Sequence, residues 1–499
     1  MKKTLLFLGL LGLASQAQAQ GPWTIANAPN SNIFGSYNVV DVHTLSPTLM
    51  WGVTQERSTT TTTIANTFIV TNNSTGAGNE YDFSQINVTA NANVGNISGI
   101  SATTAVAAAY PTAAFTGGTT YGGEIVKTTN GGQSWVKKTS ATQFTGAGTF
   151  CNWVHMFTPL IGVSLGDPAT AGGGFEILRT TDGGETWTRV SAVPAALTNE
   201  YGNAGSFFAS KSAPGTLWTG LASSSGTSPV RTFKTTDYGQ TWTASALIPN
   251  IVGAVSQLAF KDNNVEGIAY GFTIAGTPAA ITAVNLAKTM DGGQTWTAVT
   301  PNNTATGSFF RNSIDAVGNT FYSTGPRFAV SPATQAPEDF GFSESNDGIN
   351  WRNITTSGTT LTAPGYFFCM DLIRSPTAPN TTVVGHGGLY TDANGVGGVY
   401  KYSRTTLATR DAALQSSLNV YPNPSTSGVF KVDLGSDLKA GAKLTVVDAL
   451  GRQVAAQTLT ASAIGSRTVS LDLSAEKTGV YTLQVRTDAG IATQKVVID

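Results

Sequence analysis

Hydrolysis of a glycosidic bond needs two facing carboxyl groups, one to protonate the leaving oxygen and one to attack or to activate water. Short β-rich runs of this chain carry Asp41, Glu56, Asp167, Asp315 and Asp371. Asp41 and Asp371 sit in YNVVDVHTL and FFCMDLI, which read as strands, so both can face water in a central space. Asp167 stands in Gly-Asp-Pro, where an Asp side chain serves turn chemistry. Asp41, Asp167 and Asp371 are the candidate catalytic residues, and one sequence does not pair them. Arg57, Arg311, Arg327 and Arg374 could converge on an anionic group, but nothing in their context marks them, and a surface or strand-pairing role is expected for each. His43, His155 and His386 are scattered, so no metal site and no cofactor are expected.

Aromatic residues offer a second kind of chemistry. Tyr37, Phe150, Trp153, Tyr201, Phe309 and Tyr366 lie at the starts of, or just before, the same β-rich runs. Grouped on one face they could stack on sugar rings or anchor a protein partner. The alternative is that they plug the hydrophobic core.

The scaffold that would gather these residues is legible as a repeat. KTTNGGQSW (127–135), RTTDGGETW (179–187), KTTDYGQTW (234–242), KTMDGGQTW (288–296) and the weaker ESNDGINW (344–351) end at Trp135, Trp187, Trp242, Trp296 and Trp351, in steps of 52, 55, 54 and 55 residues. Asn130, Asp182, Asp237, Asp291 and Asn346 are placed to cap a turn, glycine pairs supply positive φ, and each Trp offers a large apolar face for burial. Stepping back by one repeat reaches Tyr81, and by a second Trp23, which makes seven outer strands; three runs after Trp351 lack one, and the strand at Trp23 would complete them. Six units are the alternative count. With 56 glycines and 11% charged residues the composition is that of an all-β protein.

These strings resemble the Asp-box, or BNR, repeat, the hairpin between the third and outermost strands of a β-propeller blade. The resemblance implies a seven-bladed propeller over 20–404, similar to sialidases, xyloglucan-cleaving glycosidases, sortilin-like receptors and photosystem II assembly-factor-like proteins. The sialidase Arg-Ile-Pro signature is absent.

Both ends concern export. Residues 1–19 read as a signal peptide: Lys2 and Lys3, an apolar run from Leu5 to Leu13, and Ala17-Gln18-Ala19 as the cleavage site. After a linker, 405–417, the texture changes to short alternating strands with Gly, Asp and Ser turns, a small β-sandwich over 418–499. This stretch resembles the type A C-terminal sorting domain of type IX secretion in Bacteroidetes, through Tyr421-Pro422-Asn423-Pro424, the hairpin ending at Gly451-Arg452, Gly479-Val480-Tyr481 and Lys495-Val496-Val497-Ile498. The resemblance implies delivery across the outer membrane, with the translocon as partner.

Net charge is −1 and no basic stripe is present, which argues against nucleic acid as a partner. The expected protein is therefore an exported monomer, all-β, a propeller followed by a small sandwich, without a membrane span. Its expected role is binding of a glycan or protein, with a sialidase-like or glucan-cleaving glycoside hydrolase as the alternative. Cys151 and Cys369 fall at like positions of distant repeats and are expected as free, buried thiols.

Overall fold

The computed structural model describes residues 23–25, 37–56, 66–72, 82–85, 92–111, 122–145, 149–170, 172–275, 280–302, 308–327, 340–354, 367–377, 382–389, 398–405, 412–434, 442–448, 452–486 and 491–499. The leader 1–19, Tyr81, Tyr366 and Gly451 lie outside them.

Seven four-stranded antiparallel sheets follow one another along the chain as the blades of a propeller. Blade 1 begins with Tyr37–Ser46, blade 2 with Ala92–Gly99, blade 3 with Cys151–Met156 and blade 4 with Glu200–Ala209. Blades 5, 6 and 7 begin with Gln257–Phe260, Ser313–Val317 and Phe367–Arg374. Blade 7 takes its fourth strand from the other end of the chain: Trp23–Ile25 pairs antiparallel with Gly398–Thr405, Trp23 opposite Tyr402. This closes the ring without leaving that sheet edge open.

The repeated Trp residues are buried between sheets. The Trp135 ring meets Trp51 of blade 1 edge to face at 6.2 Å, and Trp242 lies against Trp153 of blade 3 at 6.4 Å. The apolar clusters accordingly cross from blade to blade. Both cysteines are free and buried. Burial pushes both thiols above the ordinary range, so they act as small packing residues.

Residues 412–499 form a separate core. A three-stranded sheet (Asn419–Tyr421, Val429–Asp433, Thr468–Asp472) faces a four-stranded one (Gln453–Thr458, Lys443–Val447, Gly479–Arg486, Ile491–Ile498). The stretch 405–417 is not a linker throughout. Thr405 ends a strand of blade 7, and Ala412–Ser417 is a short helix whose Leu414 enters the sandwich core. Gln415 there exchanges hydrogen bonds with the backbone of Thr493. An apolar residue among small polar ones was the signal.

The tail motif has a structural reading. Asn423 takes the place of a strand partner between two prolines that cannot donate: its Nδ2 donates to the Lys495 carbonyl and its Oδ1 accepts the Val497 N–H. Tyr421 donates its hydroxyl to Asp433, and Tyr481, buried, donates to the Lys477 carbonyl. Gly479 opens the strand that carries Tyr481.

Candidate functional site

The innermost strands line a central cavity of about 750 Å³, into which Asp41, His43, His155, Lys211, Asp315 and Asp371 converge from five blades. Of the three candidate carboxylates, the ring brings Asp41 and Asp371 together here. Asp167 is buried elsewhere, on the second strand of blade 3, where it accepts hydrogen bonds from Asn152 Nδ2 and the Gly202 N–H. Asp315, on a par with the others in sequence, belongs to the central group.

The task of these carboxylates follows from geometry. An innermost strand has no further strand to pair with, so its inner-edge N–H groups need other acceptors. Side chains of the preceding blade provide them. The Ile97 N–H donates to Asp41, Gly99 to His43 Nδ1, Val154 to Asn96, Met156 to Ser98, and Ile314 to Gln257. Met370 donates to Ser313, Leu372 to Asp315 Oδ2 at 2.6 Å, and Thr44 to Asp371 Oδ2 at 2.6 Å, which joins the last blade to the first. Asp167 serves the seam from blade 3 to blade 4, and Ser206 donates to the Val255 carbonyl between blades 4 and 5. Each of the seven seams thus has a side-chain latch. The signal was a polar residue at alternate positions of aligned inner strands (Asp41 and His43, Asn96 and Ser98, Ser313 and Asp315), legible only with the repeats in register.

Lys211 was missed by sequence reasoning. It follows the innermost strand of blade 4, yet its ammonium ends 2.5 Å from Asp315 Oδ1 of blade 6 and 3.7 Å from Asp371 Oδ1 of blade 7, and it also donates to the Leu372 carbonyl. No local pattern marks a lysine that spans a ring.

Burial governs the electrostatics. It pushes Asp41 up to about 7, against the Ile97 N–H and with the Asp371 charge adding to it. It pushes Asp315 up to about 6 although Lys211 opposes it, raises Asp371 against the same lysine, and pushes Asp167 up to about 6 against its hydrogen bonds. Burial, with Lys211 nearby, lowers His43 to about 4. Burial lowers His155 to about 3. Both imidazoles are neutral near pH 7. Among the described residues no group of His, Cys, Asp and Glu could hold a metal ion.

The aromatic set divides. Trp153 and Phe309 are fully buried in inter-blade clusters, Trp153 donating its N–H to Thr219 and stacking on Phe207 at 4.9 Å. They are core residues: Trp153 lies on the innermost strand of blade 3, and Phe309 lies just before that of blade 6, where its ring meets Trp351 at 5.0 Å. Phe150 is half-buried and Tyr201 is 38% exposed. The Tyr37 side chain lies outside the described residues.

At the periphery, the turns between third and fourth strands share one construction. Asp182 Oδ1 accepts the N–H groups of Glu185 and Thr186, its Oδ2 accepts the Thr186 hydroxyl, and Thr180 Oγ1 accepts the Gly184 N–H. Gly183 and Gly184 have positive φ, and the Trp187 indole donates to the Gly184 carbonyl. Asp237, Asp291 and Asn130 repeat the pattern. In blade 6 the capping residue is Asp347 and not Asn346: that turn is one residue shorter, and Asp347 Oδ1 accepts the N–H groups of Ile349 and Asn350. Asn346 instead accepts from Thr320. The basic residue that opens these strings reaches the next blade's turn. Lys127 meets Glu185 at 2.6 Å, Arg179 donates to the Tyr238 carbonyl and Lys288 to the Asp347 carbonyl.

Among the described residues no helix is long and apolar enough to cross a membrane. No curated protein matches the chain. Among solved structures it is similar to YCF48 bound to D1 peptide (15% identity, 77% of this chain and 96% of that one, TM-score 0.44). It is also similar to an ancestral GH74 enzyme (12%, 92% and 62%, TM-score 0.41). A third is the α-L-arabinofuranosidase Arb93A from Fusarium graminearum in complex with an iminosugar inhibitor (14%, 62% and 93%, TM-score 0.34). Residues 419–499 match the family of the secretion system C-terminal sorting domain, the signature of type IX secretion to the cell surface or the medium.

Proposed function

We propose that this chain is an exported, non-catalytic propeller that presents a glycan- or protein-binding surface outside the cell. In this reading 1–19 are a signal peptide, 20–404 an Asp-box ring and 418–499 the segment that the translocon handles. The observation that carries the non-catalytic reading is how the channel carboxylates are used. Asp315 and Asp371 both meet the Lys211 ammonium, so their nearest oxygens are at most about 6 Å apart, close to the spacing of a glycosidase pair. That spacing favours the second reading, a glycoside hydrolase. Against it, each carboxylate gives one oxygen to an inter-blade N–H and turns the other to the ammonium. Neither therefore presents an unengaged oxygen to a sugar's leaving group or to an attacking water. Asp41 gives one oxygen to the Ile97 N–H.

The test is a glycan array together with a panel of chromogenic glycosides, both with the purified full chain. Saturable binding without turnover is expected. Turnover that disappears in Asp371→Asn would replace this reading with the hydrolase.

A further inference from the structure

Lys211 is set apart from the other lysines that meet carboxylates among the described residues. Lys127 and Lys138 share Glu185, which is half-exposed, and Lys137, Lys261 and Lys288 each meet a single carboxylate. Lys211 alone meets two, and its pair with Asp315 is largely out of water, with side-chain exposures of 14% and 6%. We propose that Lys211 and Asp315 join in an intramolecular isopeptide bond that ties blade 4 to blade 6, with Asp371 carrying the proton.

Three parts of an acyl-transfer site are already in place. The nucleophile, Lys211 Nζ, is 2.5 Å from Asp315 Oδ1. The Leu372 N–H donates to Oδ2 at 2.6 Å, where it would hold the negative charge of a tetrahedral intermediate. The Ala316 N–H donates to Oδ1, the oxygen that leaves. The Asp371 carboxyl is 3.7 Å from the same nitrogen, a distance that a small approach or one intervening water closes for proton transfer.

The balance closes without a co-reactant. Attack needs the neutral pair, so the first step is transfer of a proton from the ammonium to the Asp315 carboxylate across their 2.5 Å contact, leaving an amine and a carboxylic acid. The Nζ–Cγ bond forms. Asp371 accepts a proton from nitrogen and delivers it to Oδ1, the Cγ–Oδ1 bond breaks, and one water departs. Oδ2 remains as the amide oxygen on the Leu372 N–H, and the amide N–H keeps the Leu372 carbonyl as acceptor. Holding both groups in contact replaces the activation that a bimolecular amide synthesis would need. Burial raises the pKa of both aspartates, which favours the acid form of Asp315 and makes the Asp371 carboxylate the stronger base. The ring's two cysteines are both free, so an amide across the channel would be a covalent staple where the described residues have no disulfide.

Tryptic mapping of the purified full chain by mass spectrometry decides it. The expected product is peptide 190–231, uncut after Lys211, joined to peptide 312–327 with the loss of one water, about 18 Da. Asp371→Asn should yield the free peptides 190–211, 212–231 and 312–327 instead. If the unsubstituted chain gives only those free peptides, the bond does not exist. A link that persists in Asp371→Asn removes the proton-carrying step. Should that variant fail to fold, the map of the unsubstituted chain still settles the bond.

Discussion

Aspartate does opposite electrostatic work at the periphery of the ring and along its axis. In the outer turns Asp182 and Asp291 are exposed and Asp347 is half-buried, and all three are ionised near pH 7. Hydrogen bonds, the Thr186 hydroxyl first, hold Asp182 far below the usual range. Burial opposes the same effect at Asp291 and Asp347, yet the donors around them together hold both at about 2. Asp41 in the channel and Asp167 at the seam between blades 3 and 4 accept backbone N–H groups too, but burial wins and pushes them up to about 7 and about 6. The same residue type meeting the same kind of donor ends on either side of its ordinary value according to how much water remains. The outer turns are local, built within one hairpin; the axial latches join residues some 35–58 apart, or the two ends of the ring.

The comparison can be broken most forcefully at Lys211. Lys211→Met leaves Asp315 and Asp371 facing each other out of water without a counter-charge. Whether Lys211 holds these groups as an ammonium or through the proposed amide, its removal uncovers buried carboxylates, and removing one partner of a buried ion pair costs about 3–5 kcal/mol. Denaturant melts should show this loss, and replacing both aspartates by Asn in the same chain should recover most of it, since a wholly neutral group has little left to desolvate. A loss of less than about 1 kcal/mol would mean that the cluster is well solvated.

pH separates the two regions more finely. For Asp41 and Asp167 the folded value lies above the unfolded 3.8, so the folded chain binds more protons between these values. Their contribution is complete below about pH 4 and is lost as pH rises through about 6 to about 7, a change on the order of a few kcal/mol. The outer turns have the reverse sign: their contribution is complete above about pH 4 and is lost as pH falls through about 2. His43 and His155, neutral in the fold, work the other way and lift stability as pH rises to about 6.5, so the carboxylates are read by difference. Asp41→Asn should gain melting temperature relative to the unsubstituted chain as pH rises from about 5 to about 8, and Asp291→Asn should show no such gain. A difference for Asp41→Asn that stays flat over this range would contradict the burial of the latch.

Legibility in the sequence follows the same division. The outer turns were legible because every interaction lies within nine residues and recurs at a fixed step, so Asp182 and Trp187 could be assigned from spacing alone. The single slip there, Asn346 for Asp347, came from a turn one residue shorter. The axial site was only half legible. Asp41 and Asp371 were picked out as facing the centre, but their partners Ile97 and Thr44 are known only once the ring closes. Lys211 and Asp315 are 104 residues apart, a distance that no periodicity encodes. Trp153 and Phe309 were read as candidate ligand contacts because a buried aromatic on or just before an inner strand and an exposed one in the adjoining loop look alike in sequence.

A smaller effect is expected at a single outer turn. Asp182→Ala leaves the N–H groups of Glu185 and Thr186 and the Thr186 hydroxyl without their acceptor. These groups are exposed and water can replace the carboxylate, so the cost should be about 1 kcal/mol, as for loss of a helix-capping side chain. A cost equal to that of Lys211→Met would place the turn, not the axis, at the centre of the ring's stability.

The smallest change, and the one that isolates the carboxylate charge, is Asn130→Asp. Blade 2 has an amide where blades 3 to 6 have an acid. Asn130 Oδ1 accepts the Ser134 N–H at 3.0 Å and the Thr128 hydroxyl at 2.9 Å, and its Nδ2 donates to Ser134 Oγ. The amide therefore satisfies the geometry but accepts through one neutral oxygen. An acid would accept at both, with the Ser134 hydroxyl turning round to donate, as Thr186 does to Asp182 at 2.6 Å. Hydrogen bonds to an ionised acceptor are roughly twice as strong as neutral ones. At this exposed site solvent screens most of that gain, leaving about 0.5 kcal/mol. The gain depends on ionisation, so by analogy with Asp291 it should be present at pH 7 and shrink as pH approaches about 2. Paired denaturant melts of the two chains at pH 7 and pH 3 measure it. An equal gain at both pH values would assign the benefit to shape, and a loss at pH 7 would show that the outer turns do not owe their stability to the charge.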